Sequence, residues 1–195
     1  MFYRIAHIIR DRLPWLWQVI EWLNSMLFSI RYGKKMKGFS FTTVPEGYRV
    51  KPIKDVPTER LVAFFNSQPD TAFEYFRPHG FDAKSIKRLQ KNMAFLGYVL
   101  FECENDRIVG YCFNRCFFYG QGFRGRLVDI DNRGKGLGIA MNKILNEVGF
   151  GIGLRLFETV SKDNEASYRS AFSASNVRVV EELPDNVLYL EIMPS

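Results

Sequence analysis

The sequence predicts an α+β fold in which helices cover a mixed, mostly antiparallel β-sheet. Seven segments show the alternating or continuously apolar pattern of β-strands, and four show helical spacing. Short turns at Asn105–Asp106 and at Pro184–Asn186 join two pairs of strands as hairpins. Helices separate other strands, and a glycine-rich loop connects one strand to the helix that follows it. Hairpins and crossover helices in one chain indicate a mixed sheet.

The composition is that of one compact domain with an N-terminal appendage. The chain has 195 residues, of which 47% are hydrophobic and 25% are charged, so it can bury a core. Its net charge of +6 is uneven, because residues 1–38 carry seven basic and two acidic side chains and the rest carries only +1. We therefore divide the chain into a basic segment, 1–38, and a main domain, 39–195. The nearly neutral main domain argues against nucleic-acid binding.

An amphipathic helical segment is predicted for residues 1–32. Its apolar residues recur every three or four positions and so share one side of a helix. They are Phe2, Ala6, Ile9, Leu13, Leu16, Ile20, Leu23, Leu27 and Ile30. Polar side chains such as Glu21 and Ser25 lie on the opposite side. Pro14 either starts a second helix or kinks a single one.

Three roles are open for this segment. The stretch from Leu13 to Ile30 is marginal in length and too polar for a membrane-spanning helix, and Glu21 interrupts the apolar run that a signal peptide needs. A helix lying on a membrane surface fits better, because basic residues within 31–37 would meet anionic lipid head groups. The alternative is packing on the main domain or on a second copy in a homodimer.

The three cysteines indicate a reducing compartment. Cys103, Cys112 and Cys116 are odd in number and fit no common zinc spacing, so we expect free thiols and no metal site. The expected location is cytoplasmic, and the membrane role would place the chain at the inner face of the membrane.

The main domain is predicted to run strand, helix, helix, three strands, helix, strand, helix, two strands. The predicted strands are Tyr48–Ile53, Phe95–Cys103, Ile108–Phe118, Arg126–Asp131, Leu154–Val160, Val177–Glu182 and Val187–Met193. The predicted helices are Pro57–Asn66, Asp82–Met93, Leu137–Val148 and Asn164–Ala174. Asp82 is the expected N-cap of the second helix, and residues 119–125 are expected to form a glycine-containing turn.

The segment 128–140 carries the chemistry. Between its strand and its helix the loop reads Arg133-Gly-Lys-Gly-Leu-Gly138. Glycines allow a sharp turn and a close approach of a ligand to the main chain. Free N–H groups at the start of a helix favour a phosphate, and the arginine and lysine add positive charge. The spacing matches neither a Walker loop nor a dinucleotide-binding fingerprint.

With its flanking strand and helix, this loop resembles the pyrophosphate loop of the GNAT superfamily of acetyl-coenzyme A-dependent N-acetyltransferases, which reads Arg/Gln-x-x-Gly-x-Gly/Ala. Arg133, Gly136 and Gly138 occupy the defining positions. The order of elements agrees over residues 47–193. The resemblance implies a GNAT-like seven-stranded sheet flanked by about four helices. It also implies acetyl-CoA as co-substrate and direct acetyl transfer to a primary amine in a ternary complex.

The same resemblance implies which residues contact the donor. Two strand residues offer main-chain groups to the pantetheine arm, the loop N–H groups cradle the pyrophosphate, and an Asn opening the later helix meets the pantetheine arm. These positions are Val128, Ile130, Arg133, Gly134, Lys135, Gly136, Leu137, Gly138, Ile139 and Asn164. Ser167 lies one helical turn after Asn164.

The general acid expected from the resemblance is missing. Many GNAT members place a Tyr about seven residues after that Asn, where this chain has Ala171. Tyr168, one turn earlier, is the candidate acid on this helix, and the alternative is that its ring is only packed. Four side chains are candidates for the base that takes the amine proton. They are Asp129, Glu102, Glu158 and His79.

The segment 73–82 is expected to form part of the acceptor site. It combines aromatic rings with Arg77, His79 and Asp82, which suits a sugar, and it resembles segments of GNAT members that act on amino sugars. The alternative is an aromatic cluster that fills the edge of the core. The preferred acceptor is therefore an amino sugar or another small amine. Two further alternatives are a protein or peptide N-acetyltransferase and a non-catalytic CoA-binding module associated with a membrane.

Overall fold

The computed structural model describes residues 14–36 and 41–194, and these residues form one seven-stranded sheet with helices on both faces. The strand order is β1-β2-β3-β4-β5-β7-β6. The strands are β1 (Tyr48–Pro52), β2 (Phe95–Glu102), β3 (Ile108–Phe117), β4 (Gln121–Val128), β5 (Arg155–Ser161), β6 (Asn176–Leu183) and β7 (Val187–Met193). The predicted mixed, mostly antiparallel sheet is confirmed.

Four helices flank the sheet and a fifth precedes it. They are α1 (Pro14–Tyr32), α2 (Thr58–Asn66), α3 (Ala83–Lys91), α4 (Leu137–Gly151) and α5 (Glu165–Ala174). Asp82 caps α3 as predicted, since its carboxylate accepts a hydrogen bond from the Ser85 N–H at 3.0 Å.

The one parallel pair of the described sheet, β4 with β5, is paired over only three positions. Gln121, Gly122 and Phe123 face Arg155, Leu156 and Phe157, and the two strands diverge beyond them. All other neighbouring strands are antiparallel. The divergence opens the sheet beside the end of β4 that leads into the glycine loop.

The core forms on both faces of the sheet because side chains of a strand alternate between them. Val99 and Phe101 of β2 pack with α2 and α3 on one face, in a cluster that includes Ile86. Leu100, between them, packs on the other face with Met141 and residues of α4.

Helix α1 packs on its own domain through a narrow face. Phe28 and Tyr32 are 0% and 4% exposed. The Asn24 amide donates to the Cys116 carbonyl at 2.9 Å and accepts from the Phe118 N–H at 3.0 Å. Within the described chain no helix is long and apolar enough to cross a membrane. The first half of the predicted amphipathic segment, residues 1–13, lies outside the described residues.

The prediction for residues 119–131 was wrong in detail. Residues 121–125 belong to β4 and not to a turn, and β4 ends at Val128. The glycines are needed for packing: a Cβ on Gly125 would lie 2.7 Å from the Phe113 ring, and one on Gly122 would lie 3.1 Å from Leu156. Ile130 and Asp131, predicted as the end of that strand, belong instead to the 3₁₀ turn Ile130–Asn132.

The three cysteines are free thiols, as predicted. Cys103 is exposed, whereas Cys112 and Cys116 are buried. Burial raises the pKa of Cys112 to about 12, so this thiol is an inert packing group.

Candidate active site

A cleft of about 860 Å³ lies where β4 and β5 diverge. Its walls are the second half of β4, the glycine loop with the start of α4, the start of α5, and the connection between α2 and α3. Both charge signs line it. The lining charges are Glu74, Arg77, Arg124, Arg126, Arg133, Glu158, Asp163, Glu165 and Arg169.

The glycine loop presents bare main chain to this cleft. Gly134 and Gly136 have φ angles of +79° and +77°, in the left-handed region that favours glycine. Added Cβ atoms at these two positions would meet no described atom within 4 Å, so they would project into open space. The N–H groups of Ile139 and Ala140 both donate to the Gly136 carbonyl, which starts the hydrogen bonding of α4. The N–H groups ahead of Ile139 therefore precede the helical ladder and suit an anion.

A buried network anchors the base of the loop. The Asp129 carboxylate accepts hydrogen bonds from Gln68 at 2.8 Å, Asn132 at 2.6 Å and Arg107 at 2.6 Å. Burial would raise the pKa of Asp129, but these three donors hold it below its ordinary value. Asp129 is also absent from the cleft lining. The structure thus places this candidate base in a supporting position under the loop.

One predicted donor contact, at Ile130, needs correction, and the Lys135 side chain points away from the cleft. Ile130 follows the end of β4, and its N–H already donates to the Gln68 side chain at 3.0 Å. The Lys135 ammonium turns to the Asn132 side chain at 2.7 Å and does not line the cleft. Of the pair predicted to meet the pantetheine arm, Val128 is the one that ends β4 and lines the cleft.

A buried ion triad closes the inner end of the diverging strands. Glu158 on β5 accepts from Arg124 at 2.8 and 3.0 Å and from Arg126 at 3.1 Å. Their side chains are 3%, 0% and 8% exposed. Burial alone would raise the pKa of Glu158, but the two guanidinium groups hold it below its ordinary value. A carboxylate paired on both sides is a poor proton acceptor, so this triad is a structural brace.

Asn164 and Ser167, predicted to contact the donor, line the cleft at the wall formed by α5. The Asn164 side chain caps α5 by accepting from the Ser167 N–H at 3.2 Å. Arg126 donates to the Ser167 carbonyl at 2.9 Å and to its hydroxyl at 3.0 Å. The triad therefore also sets the position of this wall.

Two other candidate bases are not in the cleft. Glu102 ends β2 and accepts from Asn105 in the β2–β3 turn. His79 is packed among aromatic rings, with Nε2 2.9 Å from the Tyr111 hydroxyl and Nδ1 2.9 Å from the Gly80 carbonyl. Burial lowers the pKa of His79 to about 4. Neither residue lines the cleft, so the structure does not bring them to the site.

Tyr168 does not line the cleft and packs against Phe172, with tilted rings whose centroids are 4.7 Å apart. Tyr75 is instead the tyrosine of the described chain that lines the cleft. Partial desolvation and the neighbouring Glu74 carboxylate raise its pKa, and Asp163 across the cleft adds to this. The sequence analysis included Tyr75 only as one aromatic of the segment 73–82. Its position depends on the path of that connection, which periodicity does not predict.

The predicted acceptor segment divides between two environments. Glu74, Tyr75, Phe76, Arg77 and Pro78 line the cleft. Phe73 and Phe81 pack against the core cluster of α2 and α3, and Phe76 contacts both that cluster and the cleft. Part of the segment therefore fills the edge of the core, and the rest lines the cleft, where acceptor binding stays a prediction.

Comparison with known proteins identifies the fold. No protein-family model matches the sequence, and a search of curated proteins finds no match. Solved structures do match. The GNAT domain of PAT from S. lividans aligns with a TM-score of 0.63 at 19% identity, covering 74% of this chain and 89% of that one. The ribosomal-protein-S5-alanine acetyltransferase from Vibrio fischeri aligns at 0.59 and 17% identity, covering 80% and 95%.

A third similar structure is the aminoglycoside acetyltransferase AAC(6')-Ib in complex with coenzyme A and kanamycin. Its TM-score is 0.54 at 14% identity, covering 74% of this chain and 93% of that one. The chain therefore has the GNAT fold that the glycine loop and the element order predicted.

Proposed function

We propose that this chain is an N-acetyltransferase that moves an acetyl group from acetyl-CoA to a primary amine. The observation that carries the proposal is the glycine loop at the start of α4, open to a cleft between diverging strands. Several of its N–H groups precede the helical ladder, and Arg133 lies beside them, which suits a pyrophosphate. The resemblance in fold to acetyltransferases, one of them holding coenzyme A, supports the same donor.

The chain's own residues would hold the donor as follows. Main-chain N–H groups of Gly134, Gly136, Leu137 and Gly138 face the pyrophosphate, since the helix dipole and bare backbone favour negative charge there. Val128, at the free edge of β4, offers main-chain groups to the pantetheine arm along the divergence. The amine then attacks the thioester carbon, the N–C bond forms and the C–S bond breaks.

Proton transfer at this site falls to the cleft wall formed by residues 74–78. The amine must lose one proton and the departing thiolate must gain one. A tyrosine hydroxyl carries its proton at neutral pH, so Tyr75 can donate to the thiolate, and Glu74 beside it can accept the amine proton. We assign these roles in place of Tyr168 and Asp129. Tyr75→Phe should lower kcat by roughly 100-fold and leave the Kd for acetyl-CoA unchanged.

The preferred acceptor is an amino sugar or another small amine. Tyr75 and Phe76 offer ring faces on the acceptor side of the cleft, and Glu74, Asp163 and Glu165 offer carboxylates to an ammonium or to hydroxyl groups. The similar fold of an aminoglycoside acetyltransferase supports this class. Acetylation of a protein terminus is the alternative, supported by the ribosomal-protein acetyltransferase.

Calorimetric titration with acetyl-CoA tests the donor site. The wild-type chain should bind in the micromolar range, and Gly136→Ala should weaken binding at least 100-fold, because the new methyl group occupies the pyrophosphate position. Gly47→Ala is the matched control: its φ is +80° and its Cβ also meets no described atom, but it lies in the turn before β1. Both variants carry a similar backbone strain of about 1–2 kcal/mol.

Equal acetyl-CoA affinity of the two glycine variants would show that the loop is not the donor site. Turnover of acetyl-CoA with a panel of amino sugars, small amines and N-terminal peptides then identifies the acceptor. Binding without turnover on every amine would favour the non-catalytic CoA-binding module.

A further inference from the structure

Helix α1 packs on the domain through a narrow side and leaves most of its large apolar side chains facing outward. The side that contacts the domain contains Asn24, Ser25, Phe28 and Tyr32, of which the first two bond to the main chain of residues 93 and 116–118. The opposite side is a row of large apolar side chains in solvent, which we call the outer stripe. It consists of Trp15, Val19, Trp22, Met26 and Ile30.

The outer stripe is continuous along the helix. Its members are spaced by four, three, four and four residues, which keeps them on one side of an α-helix. Trp15, Trp22 and Ile30 are 64%, 63% and 74% exposed. Leu23 and Leu27, also exposed, widen it on one flank. A contiguous apolar patch of this kind marks an interaction surface, because water contact with it is unfavourable.

Charge at the C-terminal end of the stripe is basic. Arg31, Lys34 and Lys35 are exposed there and form what we call the basic flank, and the Lys35 ammonium also donates to the Ile152 carbonyl at 3.3 Å. Glu21, the acidic residue of α1, is half-buried on the side of Ser25 and Phe28, away from the stripe. Arg31 also donates to the Phe118 carbonyl at 2.9 Å, in a turn where Phe118 and Tyr119 are exposed. Tryptophans on one side of a helix with a cationic flank are typical of helices that lie in a lipid interface.

We propose that the outer stripe docks this protein on an anionic membrane surface, with α1 parallel to the bilayer plane. A second copy of the chain is the competing occupant. It would offer the basic end of α1 no acidic partner on the outer stripe, because Glu21 lies on another side of the described helix. A lipid surface supplies both an apolar layer for the stripe and anionic head groups for Arg31, Lys34 and Lys35.

Intrinsic fluorescence of the full-length chain tests the docking, because its three tryptophans, Trp15, Trp17 and Trp22, all lie in α1. With vesicles of phosphatidylcholine and phosphatidylserine we expect a blue shift and quenching by brominated lipid. Vesicles of phosphatidylcholine alone should give at least tenfold weaker binding, and added salt should weaken the binding to anionic vesicles. Equal binding to both vesicle types would overturn the assignment of the basic flank.

Replacing the two tryptophans of the outer stripe tests which side of α1 enters the lipid. In Trp15→Phe/Trp22→Phe the apolar stripe is kept, and Trp17, half-buried, is the remaining reporter. This variant should still co-sediment with anionic vesicles, but its quenching by brominated lipid should fall several-fold. Unchanged quenching would contradict insertion by the outer stripe.

Charge placed in the stripe should abolish docking. Trp22→Glu/Met26→Glu should reduce vesicle binding at least tenfold with an unchanged thermal midpoint. The matched control Val180→Glu adds charge at another exposed apolar position, 47% exposed on β6, and should bind vesicles like wild type. The proposal fails if the double variant still binds. It also fails if sedimentation velocity shows a dimer that this variant splits while no form of the chain binds vesicles.

Discussion

At the residue scale, the hydrogen bonds of two sets of buried polar groups, around His79 and around Glu158, define their roles. The Gly80 carbonyl can only accept, so His79 must carry its proton on Nδ1, and its Nε2 accepts from the Tyr111 hydroxyl. Burial raises the pKa of Tyr111, which keeps that hydroxyl a donor. His79 is therefore a neutral bridge between a loop and the core.

This bridge should make stability depend on pH. The folded pKa of His79 is about 4, lowered from 6.5 by burial, with Arg115 and Arg88 adding to the effect. The contribution is complete above pH 6.5 and is lost as the pH falls towards 4, because the unfolded chain takes up the proton first. Between pH 7 and pH 5 we expect a loss of roughly 2 kcal/mol in the free energy of unfolding. Urea titrations of wild type and of His79→Gln at both pH values measure this loss. The variant has no imidazole to protonate, so its free energy of unfolding should fall by about 2 kcal/mol less than that of wild type.

Neutralising the carboxylate of the buried triad should lower the free energy of unfolding far more than neutralising a carboxylate in an exposed ion pair. Glu158→Gln leaves Arg124 and Arg126 buried without a counter-charge, and it should cost about 3–5 kcal/mol of unfolding free energy. Glu182→Gln removes a carboxylate from the exposed pair with Lys162 and should cost less than about 1 kcal/mol. Denaturant titration compares the two. Similar losses would mean that the triad does not brace the diverging strands.

At the element scale, short pairing between β4 and β5 and the docking of α1 shape the molecule. The cleft exists because these strands pair over three positions and then separate. Helix α1 covers the other end of β4, where Tyr32 lies beside Gly120. The glycine loop and the outer stripe therefore lie at opposite ends of the same strand.

Replacing the adjacent residues Leu27 and Phe28 of α1 by alanine should destabilise the fold by very different amounts. Phe28 is 0% exposed and Leu27 is 38% exposed. Phe28→Ala removes a packed ring and should destabilise by about 3–5 kcal/mol, whereas Leu27→Ala should cost under about 1 kcal/mol. Thermal and urea unfolding of the full chain measure both. Equal, small losses would show that α1 contributes little to the fold.

At the scale of the whole molecule, donor binding should couple to global stability. At 100 times its Kd, acetyl-CoA should raise the free energy of unfolding by about 2.7 kcal/mol, because only the folded chain has the loop. Trp22→Glu/Met26→Glu should show the same gain, since the outer stripe is remote from the cleft. Gly136→Ala should show almost none at that concentration. Denaturant titration with and without acetyl-CoA decides this, and an equal gain in Gly136→Ala would place the donor elsewhere.

The sequence by itself determined the fold class, the order of the strands and helices, and the position of the glycine loop. These depend on periodicity, caps and glycines, which are local, so Asp82 and the segment 133–138 could be read directly. It did not distinguish glycines in a strand from glycines in a turn. Gly122 and Gly125 are glycines because Leu156 and Phe113, on neighbouring strands, leave no room for a Cβ atom.

Only the tertiary structure decided which charged and aromatic side chains share the cleft. Glu102, His79 and Tyr168 have suitable chemistry but face other surroundings, and Tyr75 enters from a connection with no regular period. The same holds for α1: the sequence predicted an amphipathic helix, whereas tertiary packing decided that Phe28 and Tyr32 are buried and that most other apolar side chains of the helix face outward. Side-chain chemistry is local, but access to a site depends on contacts between residues far apart in the chain.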